Sequence, residues 1–345
     1  FTESLTINLT MVRRKVLSPD LKMKTYTLGK RTKTKACICY MESLIDKQIL
    51  AELYRRLSMI DIDAVLDTNY ITELIGDAPW SPFRAIGYTE RPDVVVGKLM
   101  EGRIAVFLDG TPEVLTLPYL FIENFQSSED YYLSFFYTSF SRMLRVIGFF
   151  LTVTVPGVYI AIIAYHPEMM PLHLFISIAA ESQSVPLPAA LEAFVMVFVF
   201  DILRETGVRM PSNIGQTLSI VGALVIGQAS VEAKLIAAPM IIIVGLTGIT
   251  SLLVPKLNAP VIYIRFVLLV MATFFGFFGI IIGISCVLIH IINLSSFGVS
   301  QLGFSGKFKF QSAKDTVIRA PWWEMILRPI FAKDKVREEK GGPRK

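Results

Sequence analysis

Apolar runs long enough to cross a membrane occupy residues 143–294, and charged positions interrupt them. Met143–Tyr165 would be about 34 Å long as a helix, which is enough to cross a hydrocarbon core of about 30 Å. Leu235–Val254 is another such run. Val261–Leu294 would extend about 51 Å as one helix, so we expect it to tilt strongly or to begin along the interface, with Arg265 near headgroup level.

Between these runs the apolar pattern is broken. Leu172–Ala180 is too short to cross alone, and the polar segment after it contains Pro186 and Pro188, which predicts a re-entrant or broken piece. Ala189–Leu203 follows, and after a polar link Ile214–Ala229 predicts a helix that dips into the membrane and returns. We expect four crossings plus this half-buried helix, and six short crossings are the alternative.

Basic residues flank the apolar region on both sides. Arg142 and Arg145 lie at the start of the first run, and the tail carries Lys307, Lys309, Lys314, Arg319, Arg328 and Lys333. Because cytoplasmic segments of membrane proteins are enriched in Lys and Arg, we expect both termini to be cytoplasmic and the number of crossings to be even. The net charge of +5 comes largely from the two ends of the chain, as is typical of the cytoplasmic side of a membrane protein.

Small residues recur at a spacing of four on two of the predicted helices. The sets are Gly215, Ser219, Ala223 and Gly227 in the dipping helix, and Gly279 and Gly283 in the last run, where Gly276 belongs to the same patch. Residues four apart share one helix face, and a row of small residues lets another backbone approach closely in lipid. The spacing leaves open whether the neighbouring helix belongs to the same chain or to another subunit.

The first 140 residues have a mixed, charged pattern that predicts a small α/β domain. Thr34–Met41 alternates and is rich in β-formers, which predicts a strand with the thiols of Cys37 and Cys39 packed on one face. Ile45–Met59 has helical spacing. A helix at Pro92–Glu101 and strands at Ile104–Leu108 and Val114–Pro118 follow. We therefore expect a cytosolic α/β domain at 1–141, an α-helical integral membrane domain at 142–294 and a basic cytosolic C-terminal tail at 295–345.

Composition agrees with a soluble domain fused to a membrane domain. The 345 residues are 53% hydrophobic and have a mean hydropathy of +0.54, which is too apolar for an ordinary soluble enzyme. The 3 cysteines cannot form a disulfide framework, because Cys286 lies inside an apolar run. The chain begins at Phe1 without a basic and apolar leader, so we expect a fragment that lacks upstream residues.

The sequence contains no complete pattern of the catalytic sites named below. The Gly-Lys pairs at 29–30 and 306–307 each lack part of the phosphate-binding loop pattern, so ATP-driven transport is not supported. No metal-ligand spacing relates the histidines, which are His166, His173 and His290. No nucleophile elbow is present. We therefore expect neither an enzyme, nor a metal site, nor a bound cofactor.

Motifs along essentially the whole chain resemble one family. Leu191–Met240 closely resembles the A subunit of spore germination receptors, the GerA family. The other matching motifs are FTESL at Phe1–Leu5, DIDAVLD at Asp61–Asp67, SPF and YTERP within Ser81–Pro92, MEGRIAV at Met100–Val106, DGTP at Asp109–Pro112, QSSEDYY at Gln126–Tyr132, HPEM at His166–Met169, SFGV at Ser296–Val299 and KDTVIRAPWW at Lys314–Trp323. They occur in the family's order.

The resemblance implies a subunit of a nutrient-sensing germinant receptor in the inner membrane of a bacterial spore. Its implied partners are a transporter-like B subunit that senses the nutrient and a lipoprotein C subunit. The A subunit is expected to form a homo-oligomeric, nutrient-gated channel for monovalent cations. A non-conducting scaffold that couples the sensor to other ion-release machinery is the alternative. The chain departs from the family pattern at Ser182–Ser184, at Asp201 and at Val197, where a carboxylate is common.

Glu192 is a carboxylate in the apolar first part of a predicted helix, Ala189–Glu205. It shares one helix face with Val195, Met196 and Val199. If this face lines an oligomeric pore, a ring of Glu192 would concentrate cations and the valine rings would gate by dewetting. The alternative is that Glu192 is hydrogen-bonded inside the helix bundle and serves packing.

The same helix carries three further charges near its end. Asp201 and Glu205, with Arg204 between them, are predicted to form an ion-pair cluster on the cytoplasmic side. Charge inside or beside a bilayer is costly, so these positions are candidates for function.

Overall fold

The computed structural model describes residues 1–210, 222, 224–303, 315–325, 327–328, 332 and 336–337. The chain forms two compact units, one made of Phe1–Met143 with His290–Lys345 and the other of Leu144–Ile289. The first is an α/β unit, and the second contains helices and no strand among its described residues. The described residues after His290 therefore share a unit with the N-terminal ones, whereas the sequence suggested a separate tail.

A five-stranded antiparallel sheet forms the centre of the α/β unit, in the order β1-β2-β4-β5-β3. The strands are β1 Leu21–Leu28, β2 Thr34–Met41, β3 Gly87–Thr89, β4 Ile104–Leu108 and β5 Val114–Leu117. The helices are α1 Leu5–Lys15, α2 Lys47–Ser58, α3 Thr68–Ile75 and α4 Pro92–Met100. The predicted α/β architecture is confirmed, and the strands predicted at β2 and β4 have the expected bounds.

Both faces of the sheet are covered, which explains why β2 is apolar nearly throughout. Ile38 lies in a core with α2 and α3 residues such as Leu53 and Ile71. The alternate residues Cys37 and Cys39 lie in the core on the other face, with their sulfur atoms 3.9 Å apart. Because successive strand residues point to opposite faces, a strand covered on both sides needs apolar residues at nearly every position.

The segment after the last helix returns to this sheet. Ser295–Ser296 and Val299–Ser300 form a short hairpin, and Phe297 at its turn is buried in the core. The Phe297 backbone N–H donates to Asp77 Oδ2 at 2.5 Å, and the Arg56 guanidinium lies 4.5 Å from the centre of the Phe297 ring. The SFGV motif is therefore part of the α/β core.

The other unit is built from helices. Their bounds are α5 Phe135–Tyr165, α6 Leu172–Gln183, α7 Ala189–Arg209, α8 at 224–232, α9 Ala238–Ser251 and α10 Asn258–Asn293. Among the described residues, two segments, Phe135–Tyr165 and Pro255–Asn293, are long and apolar enough to cross a membrane. Helix α9 is apolar but has only 14 residues.

Helix α10 is not the single 34-residue span that the sequence suggested. Gly276 has φ 57° and ψ −138°, so the helix breaks there into two halves. Gly279 packs against the carbonyl oxygen of Met271, and Gly283 against the side chain of Leu268. Gly279 and its partner Met271 are both close to Gly276 in sequence, whereas Gly283 and its partner Leu268 are both farther from it. Contacts in this order mean that the two halves of α10 run antiparallel to each other. No strong tilt is needed to accommodate the length of this run.

Candidate functional site

A cluster of charged side chains lies inside the helical unit. Arg265 of α10 is 1% exposed, and its Nη2 donates a hydrogen bond to Asp201 Oδ2 of α7. Arg204, one turn further along α7, lies with its Nη2 3.5 Å from Asp201 Oδ1. Its Nη1 donates to Ser251 Oγ at the end of α9, at 3.3 Å. Two arginines and one aspartate thus tie three helices together.

The charges in this cluster do not balance, since two guanidinium groups share one carboxylate. Within the described part of the chain, Arg265 Nε and Asp201 Oδ1 have no hydrogen-bond partner. Burying charge costs several kcal/mol per ion unless geometry and further hydrogen bonds compensate for it. A cluster of this kind fixes the position of helices more than it adds stability.

Glu192 occupies a second polar position in the same unit. It is buried, and its Oε2 accepts a hydrogen bond of 3.0 Å from the backbone N–H of Ala237. Ala237 directly precedes α9, so the carboxylate lies at the N-terminus of that helix, where the exposed N–H groups favour negative charge. Glu192 Oε1 has no hydrogen-bond partner among the described residues.

The other residues of the predicted pore face lie in different surroundings. Met196 is buried with Glu192 and packs in a core that includes Met240 of α9. Val195 is 40% exposed, and Val199 is half-buried. In a single chain the predicted face is thus divided between the core and the surface, and its pore role stays a prediction. Val197, where the family often has a carboxylate, is buried in this core.

The predicted cluster of Asp201, Arg204 and Glu205 is placed in two parts. Asp201 and Arg204 pair as described, whereas Glu205 is exposed and pairs with Arg209 at 2.7 Å. Arg265, 64 positions after Asp201, is the partner that the sequence reasoning did not identify. An arginine within an apolar run was the available signal, because such a charge needs a partner.

The small-residue sets are described only in part. Gly215, Ser219 and Ala223 lie outside the described residues. A Cβ at Gly227 would lie 3.7 Å from Ile241 Cγ2, an ordinary contact. Gly279 and Gly283 pack between the two halves of α10, so their close approach is made within one chain.

A third polar cluster lies in the α/β unit, where α5 begins. Arg142 is fully buried and donates to Asp130 Oδ2 at 2.8 Å and to Asp315 Oδ1 at 2.7 Å. The Tyr131 hydroxyl donates to Asp315 Oδ2 at 2.8 Å, and Arg319 Nη1 donates to the Asp130 carbonyl oxygen at 2.8 Å. The QSSEDYY and KDTVIRAPWW motifs therefore meet at the first turns of α5.

The MEGRIAV motif supplies a buried ion network in the same unit. Arg103 pairs with Glu123 Oε1 and donates to the Pro118 carbonyl oxygen at 2.7 Å, while Lys98 Nζ lies 2.8 Å from Glu123 Oε2. Burial alone would raise the pKa of the Glu123 carboxyl, but the charges of Arg103 and Lys98 outweigh this effect and lower the pKa to about 2.

The fold places the chain in the class of proteins that join an α/β unit to an apolar helical unit with buried charges. The chain passes between the two units at Met143 and at His290. Residues 1–331 match the family described as Bacillus/Clostridium GerA spore germination protein. The chain therefore belongs to the GerA spore germination family, and the resemblance seen in its motifs is confirmed.

Individual relatives agree with this membership. The chain is 43% identical to spore germination protein KA of Bacillus subtilis (strain 168), over 99% of this chain and 63% of that protein. It is 44% identical to the uncharacterized membrane protein YfkQ of the same organism, over 95% of this chain and 64% of YfkQ. The chain thus spans just under two thirds of the length of these relatives. Their names describe germination and membrane proteins.

A solved structure also matches part of the chain. The crystal structure of the N-terminal domain of the A subunit of the Bacillus megaterium spore germinant receptor GerK3 is 46% identical. The match covers 35% of this chain and 96% of that chain, with a TM-score of 0.30.

Proposed function

We propose that this chain is part of the A subunit of a nutrient germinant receptor and that it contributes to an oligomeric, nutrient-gated cation channel. Its membership in the spore germination family supports the receptor role. The observation that carries the channel role is the presence of buried charge in an apolar helical unit, with Glu192 at the start of α9 and Asp201 joined to Arg265. Ionisable groups in such surroundings commonly mark ion pathways.

We propose the inner membrane of the spore as the location, with several crossings and both termini on the cytoplasmic side. Two candidate spans support a membrane location. The chain leaves the α/β unit at Met143 and returns to it at His290, so the helical unit begins and ends at the same α/β unit. An even number of crossings fits this connectivity, and the basic residues around the apolar region favour the cytoplasmic side.

In the proposed mechanism, nutrient binding at a B subunit changes the packing of α7 in this subunit, and a lipoprotein C subunit completes the receptor. Helix α7 carries Glu192, Val195, Met196 and Val199 in its first half and Asp201 and Arg204 in its second half. Glu192 would attract monovalent cations, and Val195 and Val199 would form the dewetted constriction in a ring of subunits. The exposed side of Val195 is available for a neighbouring copy.

A non-conducting scaffold is the second candidate function. The hydrogen bond from Ala237 to Glu192 and the burial of Met196 favour it, because they give these residues a packing role within one chain. A scaffold would assemble with the B and C subunits and pass their conformational change to other ion-release machinery, without ion flux through α7.

The deciding experiment is ion flux through the reconstituted receptor, with and without the B and C subunits and nutrient. Val199→Ala should give flux in the absence of nutrient if Val199 is the constriction, and Glu192→Gln should lower cation flux. Ile202→Ala is a matched control, since Ile202 is an exposed apolar residue of the same helix. Flux that is absent in every assembly of wild-type subunits would favour the scaffold.

A further inference from the structure

The tryptophans of this chain have an unusual distribution. The sequence contains 3, and they are Trp80, Trp322 and Trp323. Trp80 is 98% exposed, and Trp322 and Trp323 are 51% and 53% exposed. A tryptophan side chain combines a large apolar ring with one polar N–H group, and tryptophans are enriched where an apolar phase meets water.

Trp80 lies beside the end of one candidate span. The next residue, Ser81, is hydrogen-bonded through its Oγ to His290 Nε2 at 2.9 Å. The Phe83 ring lies 6.0 Å from the His290 ring, measured between centres. His290 is in the last turn of α10, which ends at Asn293, so the loop that carries Trp80 is fixed to the point where this span ends.

The other two tryptophans lie beside the beginning of the other candidate span. The Trp323 ring is 6.0 Å from the ring of Phe135, the first residue of α5. The Trp322 ring is 5.9 Å from Tyr131, just before that helix. The exposed rings of Tyr132 and Phe136 belong to the same short stretch of chain.

We propose that Trp80, Trp322 and Trp323 form an aromatic belt that inserts into the boundary between phospholipid headgroups and acyl chains. Indole rings favour this boundary, because the ring is apolar while its N–H donates to water or headgroup oxygens. Trp322 and Trp323 lie where α5 begins and Trp80 lies where α10 ends, so all three are near the ends of helices that contain the candidate spans. Exposed Arg84, near Trp80 in sequence, adds attraction for anionic headgroups.

This inference rests on the membrane location in the proposed function, so the experiment tests the two separately. The full chain is reconstituted in phosphatidylcholine–phosphatidylglycerol vesicles whose acyl chains carry bromine either near the headgroup or near the bilayer centre. Bromine quenches tryptophan fluorescence on contact and therefore reports the depth of the ring. Flotation of the vesicles after an alkaline wash first shows whether the chain is integrated.

Depth is then measured for each part of the belt. The double variant Trp322→Phe, Trp323→Phe keeps only Trp80, and Trp80→Phe keeps the other two. In both variants, we expect bromine near the headgroup to quench tryptophan fluorescence at least about twofold more than bromine near the bilayer centre. Iodide in the aqueous phase should quench this fluorescence only weakly. The matched control is Leu17→Trp in a chain with all three tryptophans changed to Phe, because Leu17 is 85% exposed between α1 and β1. We expect iodide and not lipid bromine to quench it.

Three outcomes would overturn the proposal. If the integrated chain leaves Trp80 as open to iodide as the Leu17→Trp control, the belt is absent although the membrane location stands. If Trp80 becomes shielded only after B and C subunits are added, a protein surface covers it and not lipid. If the chain fails to float with the vesicles, the membrane location itself fails, and the belt fails with it.

Discussion

The Tyr165 hydroxyl donates a hydrogen bond of 2.6 Å to the carbonyl oxygen of Thr273. Thr273 lies three residues before Gly276, where α10 breaks, so the break leaves carbonyl groups of the preceding turn without their helical partners. The Tyr165 ring also packs on Gly276, where an added Cβ would lie 3.0 Å from ring atom Cγ. The last residue of α5 thus supports the reversal of α10 in two ways.

Tyr165→Phe removes only the hydroxyl and should lower the free energy of unfolding by about 1 kcal/mol, the usual contribution of one hydrogen bond. Thermal unfolding of the detergent-purified chain measures this loss. Tyr137→Phe is the control, because Tyr137 is an exposed tyrosine near the other end of the same helix, and it should leave the midpoint unchanged. Equal effects of the two changes would contradict the role of the Tyr165 hydroxyl.

Gly276→Ala should be more harmful than Tyr165→Phe. The positive φ at Gly276 disfavours any residue with a Cβ, by about 1–2 kcal/mol, and the new methyl group would press against the Tyr165 ring. The double variant Gly276→Ala, Tyr165→Ala should lose less stability than the sum of the two single changes, because the smaller side chain removes the clash but not the backbone strain. The same thermal unfolding assay measures this difference, and a double variant that loses as much as both single changes together would refute the contact.

The charge cluster predicts an asymmetry between its members. Asp201→Asn should destabilise the helical unit by about 3–5 kcal/mol, because it leaves the buried charge of Arg265 without a counter-ion. Arg265→Met should cost less, because Asp201 keeps Arg204 as a partner and the methionine restores apolar packing. Glu205→Gln is the matched control on the same helix, since its exposed pair with Arg209 contributes at most about 0.5 kcal/mol.

The asymmetry is measured by the unfolding of the three variants under one set of conditions. If the Asp201→Asn and Arg265→Met variants are equally stable, the burial of neither charge depends on the presence of the other. A large effect of Glu205→Gln would mean that Glu205 has a role beyond its observed contact with Arg209.

Sequence alone predicted the local elements of the α/β unit better than the contacts of the helical one. The strand at Ile104–Leu108 followed from its apolar run and the turn after it, since both signals are local. The break at Gly276 could not be predicted, because other glycines nearby remain helical and only the contact with Tyr165 distinguishes this one. The pair of Asp201 and Arg265 depends on the packing of two helices far apart in sequence. Residues 295–303 were expected in a tail because their motif shows no sign that Phe297 would enter the core.

The contact between the tail and α5 predicts a local change in dynamics. Asp315→Asn keeps the shape of the side chain but removes the charge that Arg142 and Tyr131 contact. We expect faster hydrogen exchange in residues 315–319 and around Asp130, because hydrogen bonds to a charged partner are roughly twice as strong as neutral ones. Exchange that is unchanged in these segments would show that the backbone contacts of Arg142 and Arg319 suffice. Exchange in β2 should stay unchanged, and it serves as the internal control.

The buried carboxyl of Glu123 predicts how the stability of the α/β unit depends on pH. Arg103 and Lys98 lower its pKa from 4.5 to about 2 in the folded chain, so the stabilisation is complete above pH 4.5 and is lost as pH falls towards 2. This loss should amount to about 3 kcal/mol over that interval, since one pKa unit corresponds to about 1.4 kcal/mol. Near-UV circular dichroism of the full chain during denaturant unfolding, at several pH values, gives the slope. Glu123→Gln should be less stable at neutral pH, because Arg103 and Lys98 lose the carboxylate that they share, and should show a flatter slope below pH 4.5. A variant with the wild-type slope would mean that other carboxyl groups govern the acid transition.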